Sequence, residues 1–261
     1  MRLEVAPATD SAPHLDALWR GEKEAVLLQK ALPQAAEVVQ CLERASLPRL
    51  RFGQQFEAWS YGRGLDRAGQ DHAGFFEGVH PFLKQVEKVL GGIWSPLPWM
   101  LQQLRARAGG LPLEVPNENG RPYLPFTIRE LPVGGCLPPH AELEQLRRPP
   151  YAHFREQIDP QTLLSWFVTL QEAESGGELA IWSLRYAELG EAQFHRDHTD
   201  LSTLLPGRSC TKIAPEAGDL LIFDGGRNVH AVQTVAGSRS RWTLGGFVAA
   251  RRGQPGWWAW A

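Results

Sequence analysis

The sequence predicts a mainly β, α+β fold in which a sandwich or barrel of short strands carries a helical layer. Apolar residues recur at helical spacing in the first third of the chain, whereas short β-branched and aromatic segments separated by Gly and Pro turns dominate the second half. No linker, repeat or low-complexity tract interrupts this pattern. We therefore expect a single domain over residues 1–261, helical to about residue 110, with the β core at about 120–250.

Three helices are predicted in the N-terminal part. The first covers Glu22–Leu47 and is kinked or broken at Pro33, the second covers His80–Leu90 and ends at two glycines, and the third covers Trp99–Ala108. The polar, Gly-rich segment Ser60–Gly78 is predicted to be a loop.

The second half holds the predicted strands. Turn sequences rich in Gly and Pro separate them, as in sandwiches and barrels. The predicted strands are Leu124–Leu131, Leu163–Gln171, Glu178–Leu184, Leu220–Phe223 and Arg241–Ala249. The tryptophans of the C-terminal segment GQPGWWAWA are expected to pack back on the protein or on the second subunit of a homodimer, because exposed they would form a sticky patch.

Charge and cysteine usage narrow the class of protein. A net charge of -2 without runs of like charge argues against nucleic acid or an anionic membrane as partner. Three distant cysteines form no CxxC pair and support neither a disulfide framework nor a zinc ribbon. With no signal-peptide pattern and no apolar run long enough to span a bilayer, we expect a cytoplasmic protein.

A His-x-Glu pair is the first candidate for chemistry. His140 and Glu142 point to the same face of an extended chain and can aim an imidazole and a carboxylate at one point. His230, which follows a predicted buried strand and a Gly-Gly turn, is the best third ligand. Two histidines and one carboxylate suit non-haem Fe(II) and leave positions open for substrate and oxygen.

Other polar groups compete with this set. The segment from His195 through Asp197 to His198 contains His-x-Asp and is a second candidate metal pair, although its polar surroundings indicate a loop, one that could lie near the mouth of the site. The segment His72–His80 is interpreted as an ordinary loop or, alternatively, as a lid on the substrate side. Arg129 is expected to form a surface salt bridge, with a ligand contact as the alternative.

The order of the motifs resembles that of the Fe(II)- and 2-oxoglutarate-dependent oxygenases, in particular the prolyl-hydroxylase-like branch. The chain runs from His-x-Glu through GGEL and GDLLIF to His230 and a downstream arginine, over about Leu124 to Ala249. This resemblance implies a double-stranded β-helix, a jelly-roll core. It also implies Fe(II) held by His140, Glu142 and His230, with 2-oxoglutarate and O2 as cosubstrates.

The resemblance further implies a basic residue that binds the far carboxylate of 2-oxoglutarate. Arg241 is favoured, because Thr243 shares its strand face and can add a hydroxyl to the same carboxylate. Arg239 is the alternative, and the arginine that is not used is expected to be a solvated charge.

The implied reaction is hydroxylation of an unactivated C–H bond, with release of succinate and CO2. The expected substrate is a small amino-acid-like, peptide-derived or natural-product molecule. Related halogenases carry Gly or Ala in place of the carboxylate ligand, so Glu142 favours hydroxylation over halogenation. Two alternatives are a non-catalytic jelly-roll or cupin-like ligand-binding protein and a metal-dependent isomerase or hydrolase on the same fold.

Overall fold

A computed structural model describes residues 1–51, 57–69, 71–189 and 201–261 of the chain. Its α-helices all lie in the N-terminal part and are α1 (His14–Trp19), α2 (Ala35–Arg44), α3 (His72–Leu90) and α4 (Pro96–Ala106). None of these helices is long and apolar enough to cross a membrane.

The described strands run through the whole chain. They are β1 (Leu3–Pro7), β2 (Ala25–Gln29), β3 (Leu50–Arg51), β4 (Trp59–Tyr61), β5 (Leu113–Glu114), β6 (Asn117–Glu118), β7 (Arg121–Pro122), β8 (Thr127–Leu131), β9 (Leu137–His140), β10 (Leu164–Gln171), β11 (Ser175–Gly176), β12 (Leu179–Arg185), β13 (Cys210–Ile213), β14 (Leu220–Phe223), β15 (Asn228–Val232), β16 (Val235–Ala236), β17 (Arg241–Ala250) and β18 (Trp257–Trp260). Short 3-10 turns lie at Leu65–Arg67, Glu142–Arg147, Pro149–Tyr151, Phe154–Glu156, Tyr186–Glu188 and Leu201–Leu204.

Two packed sheets form the core. The larger sheet has the order β1-β2-β14-β10-β17-β8-β4-β3, and the smaller one has the order β13-β12-β15-β9. Strand β17 is central to the larger sheet, because β10 pairs along one of its edges while β8 and then β18 share the other. Apolar side chains from both sheets, including Leu131, Leu179, Phe223 and Val232, form a common cluster. This arrangement confirms the predicted double-stranded β-helix.

The helical layer covers the other face of the larger sheet. Alternation along β17 directs Trp242 and Leu244 into a cluster with apolar residues of the helices, such as Leu42 and Leu104, while Arg241 and its same-face neighbours point between the sheets. Each fully buried Leu or Val of this layer contributes about 1.5–3 kcal/mol. The helices thus fix β17, and β17 in turn carries part of the candidate site.

The N-terminal part holds the expected helices but also strands that the sequence analysis did not predict, because β1 to β4 belong to the larger sheet. The predicted helix Glu22–Leu47 is strand β2 followed by helix α2. Strand β2 is apolar on both faces: Leu27 packs against the cluster between the sheets, and Val26 and Leu28 pack against the helices. A strand that is buried on both faces has a continuous apolar run, which periodicity alone does not distinguish from a helix.

Helix α3 is also longer than predicted. It begins at His72, where the Asp71 side chain accepts a hydrogen bond from the Gly74 backbone N–H, and Pro81 lies inside it. The segment His72–His80 is therefore helix and not loop, and it does not line the central cavity. The predicted helix Trp99–Ala108 corresponds to α4.

The predicted strands of the second half are confirmed, with ends that shift by at most three residues. The C-terminal tryptophans pack back on the protein as strand β18, which pairs with β17 and β5. Trp257 and Trp260 are buried there.

Candidate metal centre

Three side chains of the predicted site converge at one end of the smaller sheet. His140 is the last residue of β9, Glu142 begins the 3-10 turn that follows, and His230 lies on β15 with its Cα opposite that of His140. The Glu142 Oε1 atom lies 3.5 Å from His140 Nε2 and 3.7 Å from His230 Nε2. One ligand atom from each residue lies within 4.8 Å of the other two. The structure therefore brings together two imidazoles and one carboxylate, as Fe(II) sites of this type require.

Backbone carbonyls orient both imidazoles. The Nδ1 atom of His140 is 2.7 Å from the Pro138 carbonyl oxygen, and that of His230 is 3.0 Å from the Asn228 carbonyl oxygen. Because a carbonyl oxygen only accepts, each Nδ1 carries the hydrogen, and in the neutral ring the lone pair is on Nε2. Both Nε2 atoms face Glu142, so the tautomers suit metal binding.

The three groups shift one another's protonation. Burial raises the pKa of Glu142, but hydrogen bonds and charge from His140 and His230 outweigh it and bring the pKa far below its ordinary value. Burial lowers the pKa of His140, yet Glu142 raises it more. The pKa of His230 is lowered by burial and by the charge of His140. A deprotonated carboxylate beside a neutral imidazole is a donor set ready for a divalent cation.

Glu142 is further held by neighbours that its sequence motif does not contain. Its backbone N–H donates to the Gly225 carbonyl oxygen at 2.9 Å, and its Oε2 accepts a hydrogen bond from the Gln145 side chain. A Cβ atom at position 225 would lie 2.3 Å from the Ser165 hydroxyl oxygen, so a larger residue there would displace the Ser165 side chain. The sequence does not predict a role for Gln145 or Ser165, because neither belongs to a recognisable spacing pattern.

A cavity between the two sheets includes the metal-ligand candidates. Its apolar walls come from aromatic and aliphatic side chains of both sheets. Its polar lining residues are Arg129, His140, Glu142, Ser165, His230, Arg241 and Thr243.

Arg241 is a buried cation at this cavity. Its residue is 6% exposed, and among the described residues its Nη2 atom has no hydrogen-bond partner. Burial and then the neighbouring Arg129 lower the pKa of Arg241 to about 10. Because a buried guanidinium is costly without an anion, this arrangement fits the carboxylate of a cosubstrate. Thr243 lines the same cavity, as strand alternation predicts.

Arg239 lies elsewhere. Its side chain is 48% exposed, and its Nη2 atom lies 3.7 Å from Glu172 Oε1 on the surface. It does not line the cavity, whereas the half-buried Arg129 does.

A second group of candidate metal ligands lies within the part of the chain that the structure describes, and it already has a cation. Glu4, Asp10 and His14 form a second group of carboxylates and imidazole, but Lys23 pairs with Glu4 and lies 3.2 Å from His14 Nδ1. The lysine ammonium already supplies the cation at that group. The alternative pair around His195, Asp197 and His198 lies outside the described residues.

Comparisons with known proteins identify related families and folds. The family model described as carrier-protein-independent halogenase WelO5 matches residues 1–261. No curated protein matches the chain.

Solved structures share the fold at low identity. An N-substituted L-amino acid dioxygenase from Burkholderia ambifaria AMMD is 14% identical with a TM-score of 0.61, covering 95% of this chain and 90% of that chain. Its complex with alpha-KG gives 15% identity and a TM-score of 0.57 over the same shares of the two chains. The alpha-ketoglutarate-dependent carbocyclase SnoK from nogalamycin biosynthesis is 14% identical with a TM-score of 0.51, covering 93% of this chain and 88% of that chain.

Proposed function

Because the chain belongs to the family of the carrier-protein-independent halogenase WelO5, within the Fe(II)/2-oxoglutarate-dependent oxygenase superfamily, we propose that it hydroxylates an unactivated C–H bond of a small molecule and does not halogenate it. The single observation that carries this proposal is the Glu142 carboxylate beside His140 and His230. Halogenases of the superfamily carry Gly or Ala at the corresponding position, which frees a site for halide.

In this proposal His140, Glu142 and His230 hold Fe(II). When bound, the iron supplies oxidation by O2 coupled to decarboxylation of 2-oxoglutarate, which yields succinate and CO2. The backbone-anchored imidazoles present Nε2 to the metal, and the low pKa of Glu142 keeps its carboxylate ionised. These three groups therefore present their metal-binding atoms without a change of imidazole tautomer.

Arg241 is proposed to bind the far carboxylate of 2-oxoglutarate. Its guanidinium can donate two parallel hydrogen bonds to a carboxylate, and the Thr243 hydroxyl on the same strand face can donate a third. The incoming anion offsets the cost of the buried charge. Arg239 is the control for this assignment, because it is close in the chain but exposed.

The cavity supports a small, largely apolar substrate. Phe167, Phe223 and Phe247 line it and exclude water around the polar groups. An amino-acid-like, peptide-derived or natural-product molecule is the proposed class. One structure with this fold is a dioxygenase of N-substituted L-amino acids.

The test compares the purified protein with two ligand variants and one matched histidine variant. With Fe(II), 2-oxoglutarate and O2, the wild type should release succinate, whereas His140→Ala and Glu142→Ala should not. His153→Ala removes a half-buried histidine outside the site and should behave as the wild type. Equal succinate release from all four forms would contradict the proposal.

The alternatives have separate readouts. A non-catalytic jelly-roll binding protein would bind no stoichiometric Fe(II), or would bind it equally well in His230→Ala. A metal-dependent isomerase or hydrolase would turn over without 2-oxoglutarate. Incorporation of chloride into a product by the wild type would overturn the choice of hydroxylation over halogenation.

A further inference from the structure

A buried chain of hydrogen bonds runs from the candidate metal ligand Glu142 into the protein core. The Gln145 side-chain Nε2 donates to Glu142 Oε2, and the Tyr151 hydroxyl donates to Gln145 Oε1 at 2.9 Å. Glu142, Gln145 and Tyr151 are 4%, 9% and 0% exposed. We propose that Gln145 and Tyr151 are positioning residues that hold the Glu142 carboxylate so that only Oε1 is offered to the metal.

The chemistry of the three groups fixes the direction of every bond. An ionised carboxylate only accepts, so the Gln145 amide must turn its NH2 group to Glu142 and its carbonyl oxygen to Tyr151. The Tyr151 hydroxyl remains a donor, because burial raises its pKa well above the ordinary value. The amide therefore has one favourable orientation and not two.

Tyr151, at the end of this series of hydrogen bonds, is held by tight packing. It belongs to the apolar cluster that contains Phe154, Ile158 and Trp260. Gln145 lies one 3-10 turn after Glu142, within Glu142–Arg147, so backbone and side chain restrain the carboxylate together. A glutamate has one more rotatable bond than an aspartate and needs such a restraint more.

The two carboxylate oxygens of Glu142 have different neighbours. Oε2 is engaged by Gln145, while Oε1 faces His140 Nε2 at 3.5 Å and His230 Nε2 at 3.7 Å. A carboxylate free to rotate could offer both oxygens to one cation and occupy a position that the cosubstrate needs. By engaging Oε2, Gln145 keeps that position open. This inference rests on the proposed role of Glu142 as a metal ligand.

The test uses Co(II) as a spectroscopic probe of coordination, with Gln145→Met and Tyr151→Phe as variants. Gln145→Met retains an unbranched side chain but removes the donor, and Tyr151→Phe removes only the hydroxyl. Glu144→Gln is the matched control in the same 3-10 turn, because Glu144 is half-buried, pairs with Arg148 and does not line the cavity. Circular dichroism and thermal unfolding establish that each variant is folded.

We expect Gln145→Met to bind Co(II) within about tenfold of the wild type, with a changed visible spectrum and with at least about tenfold weaker binding of 2-oxoglutarate to the Co(II) protein. Tyr151→Phe should change the Co(II) spectrum and the affinity for 2-oxoglutarate in the same direction but by smaller amounts. Glu144→Gln should change neither the spectrum nor the affinity. Tyr151→Phe decides the question alone if Gln145→Met does not fold.

Wild-type Co(II) spectra and wild-type 2-oxoglutarate affinity in the folded variants would overturn the inference. Failure of the proposed function has a different signature, since Glu142→Ala would then leave Co(II) binding unchanged.

Discussion

Replacement of Arg241 by methionine should have opposite effects on stability and on cosubstrate binding. The shift of the Arg241 pKa from 12.5 to about 10 corresponds to a cost of about 3 kcal/mol for the buried charge. At pH 7 the guanidinium is protonated in both the folded and the unfolded protein, so the whole cost is present, and it would be relieved only as the pH rises through about 10. Arg241→Met removes this cost.

Some stabilising contact is lost with the charge. The Arg241 guanidinium carbon lies 5.0 Å from the centroid of the Phe167 ring, a cation–π contact that contributes about 1 kcal/mol. The net effect of Arg241→Met is therefore a gain of about 1–2 kcal/mol in the free energy of unfolding. For a chain of this size that gain raises Tm by about 3–6 °C.

Binding of 2-oxoglutarate should fall steeply in the same variant. Two hydrogen bonds between charged groups contribute about 1.5–3 kcal/mol each, so their loss weakens binding by at least about 100-fold. The assay is thermal unfolding of the Co(II) protein with and without 2-oxoglutarate, because a ligand that binds only the folded state raises Tm. The Arg241→Met variant should have a higher Tm than the wild type without 2-oxoglutarate, and addition of 2-oxoglutarate should not raise its Tm further.

Arg239→Met is the matched control, since Arg239 is exposed and its ion pair with Glu172 spans 3.7 Å. Its stability should stay within about 0.5 kcal/mol of the wild type, and 2-oxoglutarate should still raise its Tm. A variant Arg241→Met that keeps the cosubstrate-induced rise, or an Arg239→Met that loses it, would refute the reasoning.

Three further predictions concern the metal ligands and the C-terminal strand. In Glu142→Gly the carboxylate is lost, so Co(II) binding in the presence of 2-oxoglutarate should become at least about tenfold tighter with chloride than with sulfate; equal affinities in the two salts would contradict this. Glu142 raises the pKa of His140 above 6.5, so a proton competes with the metal for the His140 imidazole. The affinity for Co(II) should therefore fall about tenfold per pH unit below that raised pKa, and an affinity that does not depend on pH would contradict this prediction. Trp260→Ala should lower the free energy of unfolding by about 3–5 kcal/mol in urea titrations, because Trp260 is fully buried, whereas the half-buried Trp258→Ala should cost less; the reverse order would exclude the packing described for β18.

The convergence of three candidate metal ligands was predictable because their residue types carry unusual chemistry. Residue type, motif order and the family resemblance together single out His140, Glu142 and His230, although Glu142 lies at the start of a 3-10 turn and not on the strand assumed for it. Arg241 was favoured over Arg239 because Thr243 follows it on the same strand face, and Arg241 lines the cavity whereas Arg239 is exposed. Gln145 and Tyr151 could not be found, since a buried amide and a buried phenol have no distinctive spacing in the sequence.

The fold was predictable where turn residues enclose a short apolar segment. Strand β14 is buried on both faces and still matched its predicted ends, because the turn sequences PEAGD and DGG enclose it. Strand β2 is also buried on both faces but lacks such turns, so its apolar run was joined to that of α2 in one predicted helix. The sequence predicts too short a helix α3, because the glycines and polar residues near its start are typical of loops. The Asp71 cap and the burial of Phe75 and Phe76 stabilise the additional turns. Tertiary packing thus decided the segments that local composition left ambiguous.

The interleaving of N-terminal strands with the jelly roll has a practical consequence for anyone wishing to isolate the oxygenase core. A fragment beginning near residue 120 would lack β2, which pairs with β14 along Leu220–Phe223, and β4, which pairs with β8. Both orphaned strands would then present unpaired backbone groups, and Leu220–Phe223 would add an apolar edge prone to aggregation. Truncation at the apparent boundary between helices and strands would therefore yield insoluble material, not a minimal enzyme.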